Sequence, residues 1–130
     1  MRSTVAVNGD PFLTFFSDSL ILATPTGSTA YNLSARGPIV SPRARVQILT
    51  PVAPHMLFDR SLVLDAEERV SITAIGDQPV DVVIDGWHSA LLQQGQTVHC
   101  CRGDKDALLV TFGERDFHRI LKNKFDLKDR

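Results

Sequence analysis

Between Thr24 and Ser34 the chain gathers the side chains best suited to holding a polar ligand. Five hydroxyls crowd eight residues, on Thr24, Thr26, Ser28, Thr29 and Tyr31, and Ser34 follows one helical turn on. Hydroxyls donate and accept hydrogen bonds, and a tyrosine adds a flat apolar face for a ring. A helix starting here would also point unpaired N–H groups outward, with a dipole that favours negative charge. A ribose, an amide or a phosphate would suit such a surface. The competing reading is purely local: Thr26 or Ser28 caps a helix, as such residues commonly do.

Elsewhere the chemistry is sparse. Cys100 and Cys101 are adjacent in an expected strand and so face opposite sides. There is no C-x-x-C and no Cys/His cluster at zinc spacing, so no metal site is expected and both thiols read as reduced structural residues. His55 has no nucleophile or acid paired with it in sequence, and a structural hydrogen bond suits it better than catalysis. There is no G-x-x-x-x-G-K-[ST] loop and no kinase-type lysine or catalytic loop, and G-S-T-A-Y does not match G-x-S-x-G. No catalytic residue is nominated within this chain.

The hydroxyl cluster needs elements to position it. Leu20 to Ala23 suits a short buried strand. Thr24-Pro25-Thr26-Gly27 is a turn, Ser28 to Ala35 a short helix, and Gly37-Pro38 its abrupt stop. Upstream, Ser3–Val7 and Phe12–Phe16 read as a β-hairpin around Asn8-Gly9-Asp10-Pro11. Downstream, strands are expected at Val46–Leu49 (ended by the prolines of 51–54), Ser61–Leu64, Arg69–Ala74, Val80–Ile84, Thr97–Cys101 and Ala107–Phe112. Asp85-Gly86 and Gln94-Gly95-Gln96 mark turns. Phe117, Ile120, Leu121 and Phe125 form the stripe of an amphipathic C-terminal helix, with Arg119, Lys122 and Lys124 assigned to its other face. That stripe must bury against this sheet or a partner domain.

Many short strands and two helices predict a mainly β fold, with two packed β-sheets, a short helix after the T-P-T-G-S-T-A-Y turn and a C-terminal helix. The 130 residues are read as one domain, residues 1–130. A hydrophobic fraction of 43% and a charged fraction of 22% are ordinary for a globular protein. A net charge of −1 gives no electrostatic case for nucleic acid or an anionic membrane surface. No apolar run approaches the ~20 residues of a membrane-spanning helix, and Met1-Arg2-Ser3-Thr4 lacks the apolar core of a signal peptide. A cytoplasmic location is the default expectation.

The string A-T-P-T-G-S-T-A-Y, preceded by Asp18 and followed by Ser34-Ala35, then Gly37-Pro38-Ile39-Val40, closely resembles the signature of the NAD kinases. Thr50-Pro51-Val52-Ala53-Pro54-His55-Met56-Leu57, with Arg60 and Leu62-Val63-Leu64, is similar to that family's T-P-x-x-P-H-x-L…R-x-L-V-L segment. Val83-Ile84-Asp85-Gly86 falls where the family has a strand ending in Asp-Gly. Three segments in the right order cover most of the chain.

The resemblance implies the NAD-binding, β-rich C-terminal domain of an enzyme that phosphorylates the adenosine ribose 2′-hydroxyl of NAD to give NADP. The donor would be ATP or polyphosphate with Mg²⁺, and nothing would be covalently bound. It implies that Thr29, Ala30, Tyr31 and Ser34 line the NAD site, with Thr26 on the turn before them. Asp18 would contact nucleotide, often across a subunit boundary in the family. The family's N-terminal domain carries a Gly-Gly-Asp-Gly motif and an Asn-Glu or Asn-Asp pair, and neither appears here. The chain therefore reads as a C-terminal domain without its catalytic partner, inactive alone, docking on its own N-terminal domain and assembling as a homodimer or homotetramer. Ser19, Arg36 (for the first glycine of S-A-G-G-P), Ser61 (for a proline), Phe16 and Trp87 depart from the family pattern. Two alternatives stand beside this one: a non-catalytic nucleotide-binding or assembly module, and the C-terminal domain of a lipid-type kinase, which would need an apolar pocket.

Overall fold

The computed structural model describes residues 1–113 and 116–127. Strands β1 (Arg2–Val7) and β2 (Asp10–Phe16) form the expected hairpin. At its turn Asn8 and Gly9 have φ of 53° and 90°, the paired positive values that asparagine and glycine supply most readily. Strands β3 (Ser19–Ala23), β4 (Val46–Val52), β5 (Leu62–Asp65), β6 (Val70–Ala74), β7 (Val80–Ile84), β8 (Trp87–Leu92) and β9 (Thr97–Cys100) follow, all pairing antiparallel.

The strands divide among three sheets, ordered β2-β1-β6-β9, β3-β4-β5 and β7-β8. The mainly β character is as expected, and the two larger sheets share one core, with Val5, Phe15 and Val70 from one and Leu49 and Leu64 from the other. Burying side chains of this size stabilises by about 1.5–3 kcal/mol each. The rings of Phe12 and Phe15 meet Phe58 edge-on, closing one side of this core. The β7–β8 ribbon lies beyond it, leaving Val83, Ile84 and Trp87 exposed.

Several elements differ from the sequence reading. Strand β4 runs through Pro51 instead of stopping before it. The reason is register: β5 pairs only with Val46–Leu49, so at Pro51 the strand has β3 on one side alone, and the missing N–H costs no ladder bond on the open side. Residues 87–92, given no element from sequence, form β8. The expected strand Ala107–Phe112 does not form, and Leu108, Leu109, Val110 and Phe112 are exposed. Arg102 pairs with Glu67 at 2.8 Å and Asp106 at 3.1 Å in the preceding loop, and the exposed residues after it pair with no strand, so their apolar side chains lack the burial that would stabilise one. Leu20–Leu22 are half-buried and only Ala23 is buried in β3.

The C-terminal helix is present as α2 (Phe117–Lys124). Asp116 caps it, accepting from the backbone N–H of His118 at 3.0 Å and Arg119 at 3.1 Å. Lys124 does not lie on the polar face to which the sequence assigned it. Seven residues after Phe117, it returns to within about 20° of that side chain around the helix, on the same face as Ile120 and Leu121.

Candidate nucleotide-binding site

Strand β3 delivers the chain to the hydroxyl-rich corner. The single expected helix resolves into a 3₁₀ turn, Thr26–Thr29, and one α turn, α1, Tyr31–Ser34, with the break at Ala30 (φ −94°, ψ −131°). A lone turn of helix aligns too few peptide dipoles to hold an anion. Anion binding by a helix start, expected from sequence, is therefore replaced here by what side chains can do.

The hydroxyls split into two groups. Ser28 is wholly buried and spent on the fold: its Oγ donates to Pro25 O at 2.6 Å and accepts from Val40 N at 3.0 Å. Thr24 Oγ1 accepts from Gly27 N at 3.1 Å, closing the turn. Neither the 3₁₀ turn nor α1 has a side-chain cap, so the local capping reading of Thr26 and Ser28 does not hold. The other group faces outward. Thr26 is exposed, and Thr29 is half-buried with a long 3.5 Å bond to Thr26 O. Ala30, Tyr31 and Ser34 are exposed, Tyr31 to 61%.

What holds the corner in place is a buried residue the sequence reading did not nominate, Asn32. Its Nδ2 donates to Ser28 O at 3.0 Å and Pro38 O at 3.1 Å, and its Oδ1 accepts from Thr50 Oγ1 at 2.7 Å. Thr50 is in turn 2.8 Å from Ser61 Oγ, so with its own proton on Asn32 it accepts that of Ser61. The amide thus ties the 3₁₀ turn, the Gly37-Pro38 stop and strand β4 together. Ser61, one of the departures from the family pattern, completes the chain of bonds. The one signal for Asn32 in sequence was Gly37: any Cβ there would occupy the amide's space, within 2.5 Å of its Cγ and Nδ2.

The predicted site residues are only partly brought together. Thr26 and Thr29 line a cavity of about 310 Å³, whose opposite wall is the Phe117–Lys124–Phe125 face of α2. Ala30, Tyr31 and Ser34 lie on the adjoining exposed surface of α1. Asp18 stands at the other end of β3, its N–H held by Val52 O at 2.9 Å. Its carboxylate is 3.8 Å from Nε2 of His55, whose own N–H donates to Phe16 O at 2.7 Å. Sequence left His55 out of the site; the fold puts it beside Asp18. A second cavity, about 420 Å³, sits by Asn8, Arg69, Ser71 and His99, and none of the nominated residues lines it. Cys100, in that same wall, is half-buried and Cys101 exposed; burial, then the neighbouring Cys101, pushes the Cys100 thiol up from its ordinary value.

Comparison with known proteins bears on this geometry. The family model of the ATP-NAD kinase C-terminal domain matches residues 1–112. The NAD kinase of Wolinella succinogenes is 39% identical over 124 residues, which are 95% of this chain and 43% of that protein. That of Caldicellulosiruptor saccharolyticus is 44% identical over 108 residues, 83% of this chain and 41% of that one. Among solved structures, yeast NADH kinase complexed with NADH superposes with a TM-score of 0.72 at 34% identity, covering 75% of this chain and 28% of that one. An NAD kinase from Archaeoglobus fulgidus in complex with ATP gives 0.69 at 27% identity, covering 79% and 39%. The chain spans less than half the length of these relatives. With a family model matched from its first residue through 112, and its mainly β sheets shared with solved members, this chain belongs to the NAD kinase family, within the C-terminal domain.

Proposed function

We propose that this chain is the NAD-binding C-terminal domain of an enzyme that phosphorylates the adenosine 2′-hydroxyl of NAD to give NADP, using ATP or polyphosphate. The observation that carries the reading is the division of the T-G-S-T-A-Y corner. Ser28 and Asn32 are consumed inside the fold, while Thr26, Tyr31 and Ser34 are exposed and Thr29 is half-buried beside them, its hydroxyl held only by the long 3.5 Å bond to Thr26 O. The NADH held by the yeast relative and the ATP held by the archaeal one support nucleotides as the ligand class.

In this reading Tyr31 offers its ring to a base, and Thr29 and Ser34 bond a carboxamide, ribose or phosphate. The backbone at Ala30, where the 3₁₀ turn breaks, lies against the ligand, and Asp18 accepts from ribose hydroxyls or an adenine amine. In the transfer itself the 2′-oxygen attacks the γ-phosphorus of ATP, the bond to the bridging oxygen of ADP breaks, and the hydroxyl proton passes to a base. No residue of this chain is assigned as that base; it belongs to the N-terminal domain. Mg²⁺ supplies charge neutralisation on the phosphates in such transfers. Among the described residues no three His, Cys, Asp or Glu side chains converge, and no ligand for it is assigned within this chain. The exposed apolar residues of the β7–β8 ribbon support docking of that domain and assembly as a homodimer or homotetramer. A cytoplasmic setting suits the substrates, and no helix among the described residues is long and apolar enough to cross a membrane.

Calorimetric titration with NAD and NADH tests the reading, with an assay of NADP formation from NAD, ATP and Mg²⁺ alongside. The chain binds NAD but produces no NADP, and Tyr31→Ala weakens binding about tenfold, the worth of one base stack. Equal binding by both proteins would remove Tyr31 from the site. Absence of NAD binding at millimolar concentration would refute the function.

A further inference from the structure

The sequence reading treats the α2 stripe as a docking surface, but the fold sets it across the hydroxyl turn with an open slot between. Phe117, Ile120, Leu121 and Lys124 are spaced at i, i+3, i+4 and i+7, one face of one helix. A lysine therefore sits where an apolar residue would continue the stripe. Its ammonium enters none of the ion pairs found among the described residues. Across the slot stand Thr26 and Thr29 with Pro25 and Pro42. The slot is not filled from within, and Ile120 and Phe125 remain 42% and 40% exposed.

The composition of the walls points to a class of ligand. Aromatic and proline surfaces favour a planar, apolar-faced ring. One cation and two threonines among the lining residues favour an oxyanion with further acceptors. Residues 24–35 carry no cation of their own, and Arg36 and Arg43 do not line the cavity. The volume, about 310 Å³, is at the small end of ligand sites and suits a single nucleotide unit, not a whole dinucleotide.

Resting on the nucleotide reading above, we infer that α2 is the second wall of the site: Lys124 binds a phosphate of the nucleotide, and the Phe117–Phe125 slot takes the base of that half. Specificity for a phosphorylated nucleoside then comes from the helix, while the T-G-S-T-A-Y corner supplies the hydroxyl contacts.

Three probes separate the parts: AMP, adenosine and ribose 5-phosphate, each titrated calorimetrically into the full 130-residue chain. Wild type binds AMP more tightly than either of the others. Lys124→Met weakens AMP binding five- to tenfold and leaves adenosine within twofold, whereas Lys124→Arg keeps AMP affinity within about twofold. Far-UV circular dichroism confirms that both variants retain α2, since Lys124 is exposed. Unchanged AMP affinity in Lys124→Met overturns the inference. Tighter nucleotide binding by that variant overturns it also, because α2 would then be a strap that obstructs the turn. Should Tyr31→Ala weaken NAD while Lys124→Met leaves both NAD and AMP unaffected, the helix assignment alone falls. A wild-type chain that binds no nucleotide takes both readings down.

Discussion

Replacing Gly37 with alanine isolates the device that shapes the hydroxyl corner. The new Cβ would lie 2.5 Å from both Cγ and Nδ2 of Asn32 and closer still to Oδ1. The obstacle is a side chain, but not a free one: three hydrogen bonds pin the amide between the 3₁₀ turn, Pro38 and Thr50. Moving the backbone instead breaks the Gly37 N–H bond to Asn32 O at 2.8 Å and the Asn32 bond to the neighbouring Pro38 carbonyl. Either way the amide is expelled. At about 1 kcal/mol for each of three hydrogen bonds, the loss is about 3 kcal/mol. With a urea m-value of about 1.5 kcal/mol/M, the unfolding midpoint drops by about 2 M.

The decisive measurement is a double-mutant cycle. Asn32→Ala alone loses the same bonds and destabilises by a similar amount. In that background Gly37→Ala meets no amide and costs less than about 0.5 kcal/mol, so the two changes are non-additive by at least about 2 kcal/mol. NAD affinity falls in each single variant although neither residue is assigned a contact, because Thr26, Thr29 and Tyr31 lose the support beneath them. Additive effects, or a Gly37→Ala protein within 0.5 kcal/mol of wild type, would refute the claim that the amide holds the corner.

Two further outcomes follow from single positions. Arg36 stands where the family pattern has glycine and adopts a φ of 64°; Arg36→Gly removes that left-handed strain and raises stability by about 1 kcal/mol in urea melts, whereas a loss of stability would show that the side chain makes compensating contacts. The carboxyl of Asp116 is held below its ordinary value of 3.8, chiefly by the N–H of Arg119 and secondarily by that of His118, against an opposing desolvation effect. Because the folded value is the lower one, the cap is in full force above about pH 4 and is lost as pH falls through the folded value; α2 amide exchange accelerates over that window, while Asp116→Asn shows no such step.

How much could be read from residues alone depends on what kind of signal each element carries. The hairpin turns are legible because Asn8-Gly9 and Asp85-Gly86 name their own geometry, and all four residues have positive φ. The hydroxyl corner is legible as a string, but not its partition: nothing in T-G-S-T-A-Y says that Ser28 turns inward and Thr29 outward, since that follows from where Val40 and strand β4 return. Strand β8 escapes notice because strand signals are burial signals; its residues lie almost wholly exposed, so no alternation was imposed on Trp87–Leu92. Residues 107–112 mislead in the opposite direction. Their apolarity reports surface that gains from burial, but a strand also needs an edge to pair with, and residues 107–112 meet none. Lys124 shows the same limit in a helix: charge suggested the outer face, whereas the 100° step per residue puts it on the inner one.

The placement of the corner has a consequence for the ligand's length. Strand β3 puts five residues between Asp18 and Thr24, six steps or about 20 Å at the rise of an extended chain. A single base or ribose cannot bridge that span, and the cavity beside Thr26 and Thr29, about 310 Å³, is no larger than one nucleotide unit needs. If Asp18 and the corner serve one molecule, that molecule has two separated heads, as a dinucleotide does; otherwise Asp18 serves the site of a neighbouring copy. Both ends of β3 are anchored independently, Asp18 through Val52 and the corner through Asn32 and Thr50. The strand therefore acts as a spacer of fixed length, and a ligand meeting it loses little by ordering the protein. Under the proposed function, such rigid spacing suits a domain that holds substrate for chemistry performed by another part of the protein. A transferring group elsewhere can act on a 2′-hydroxyl only if the rest of the dinucleotide is already held in register.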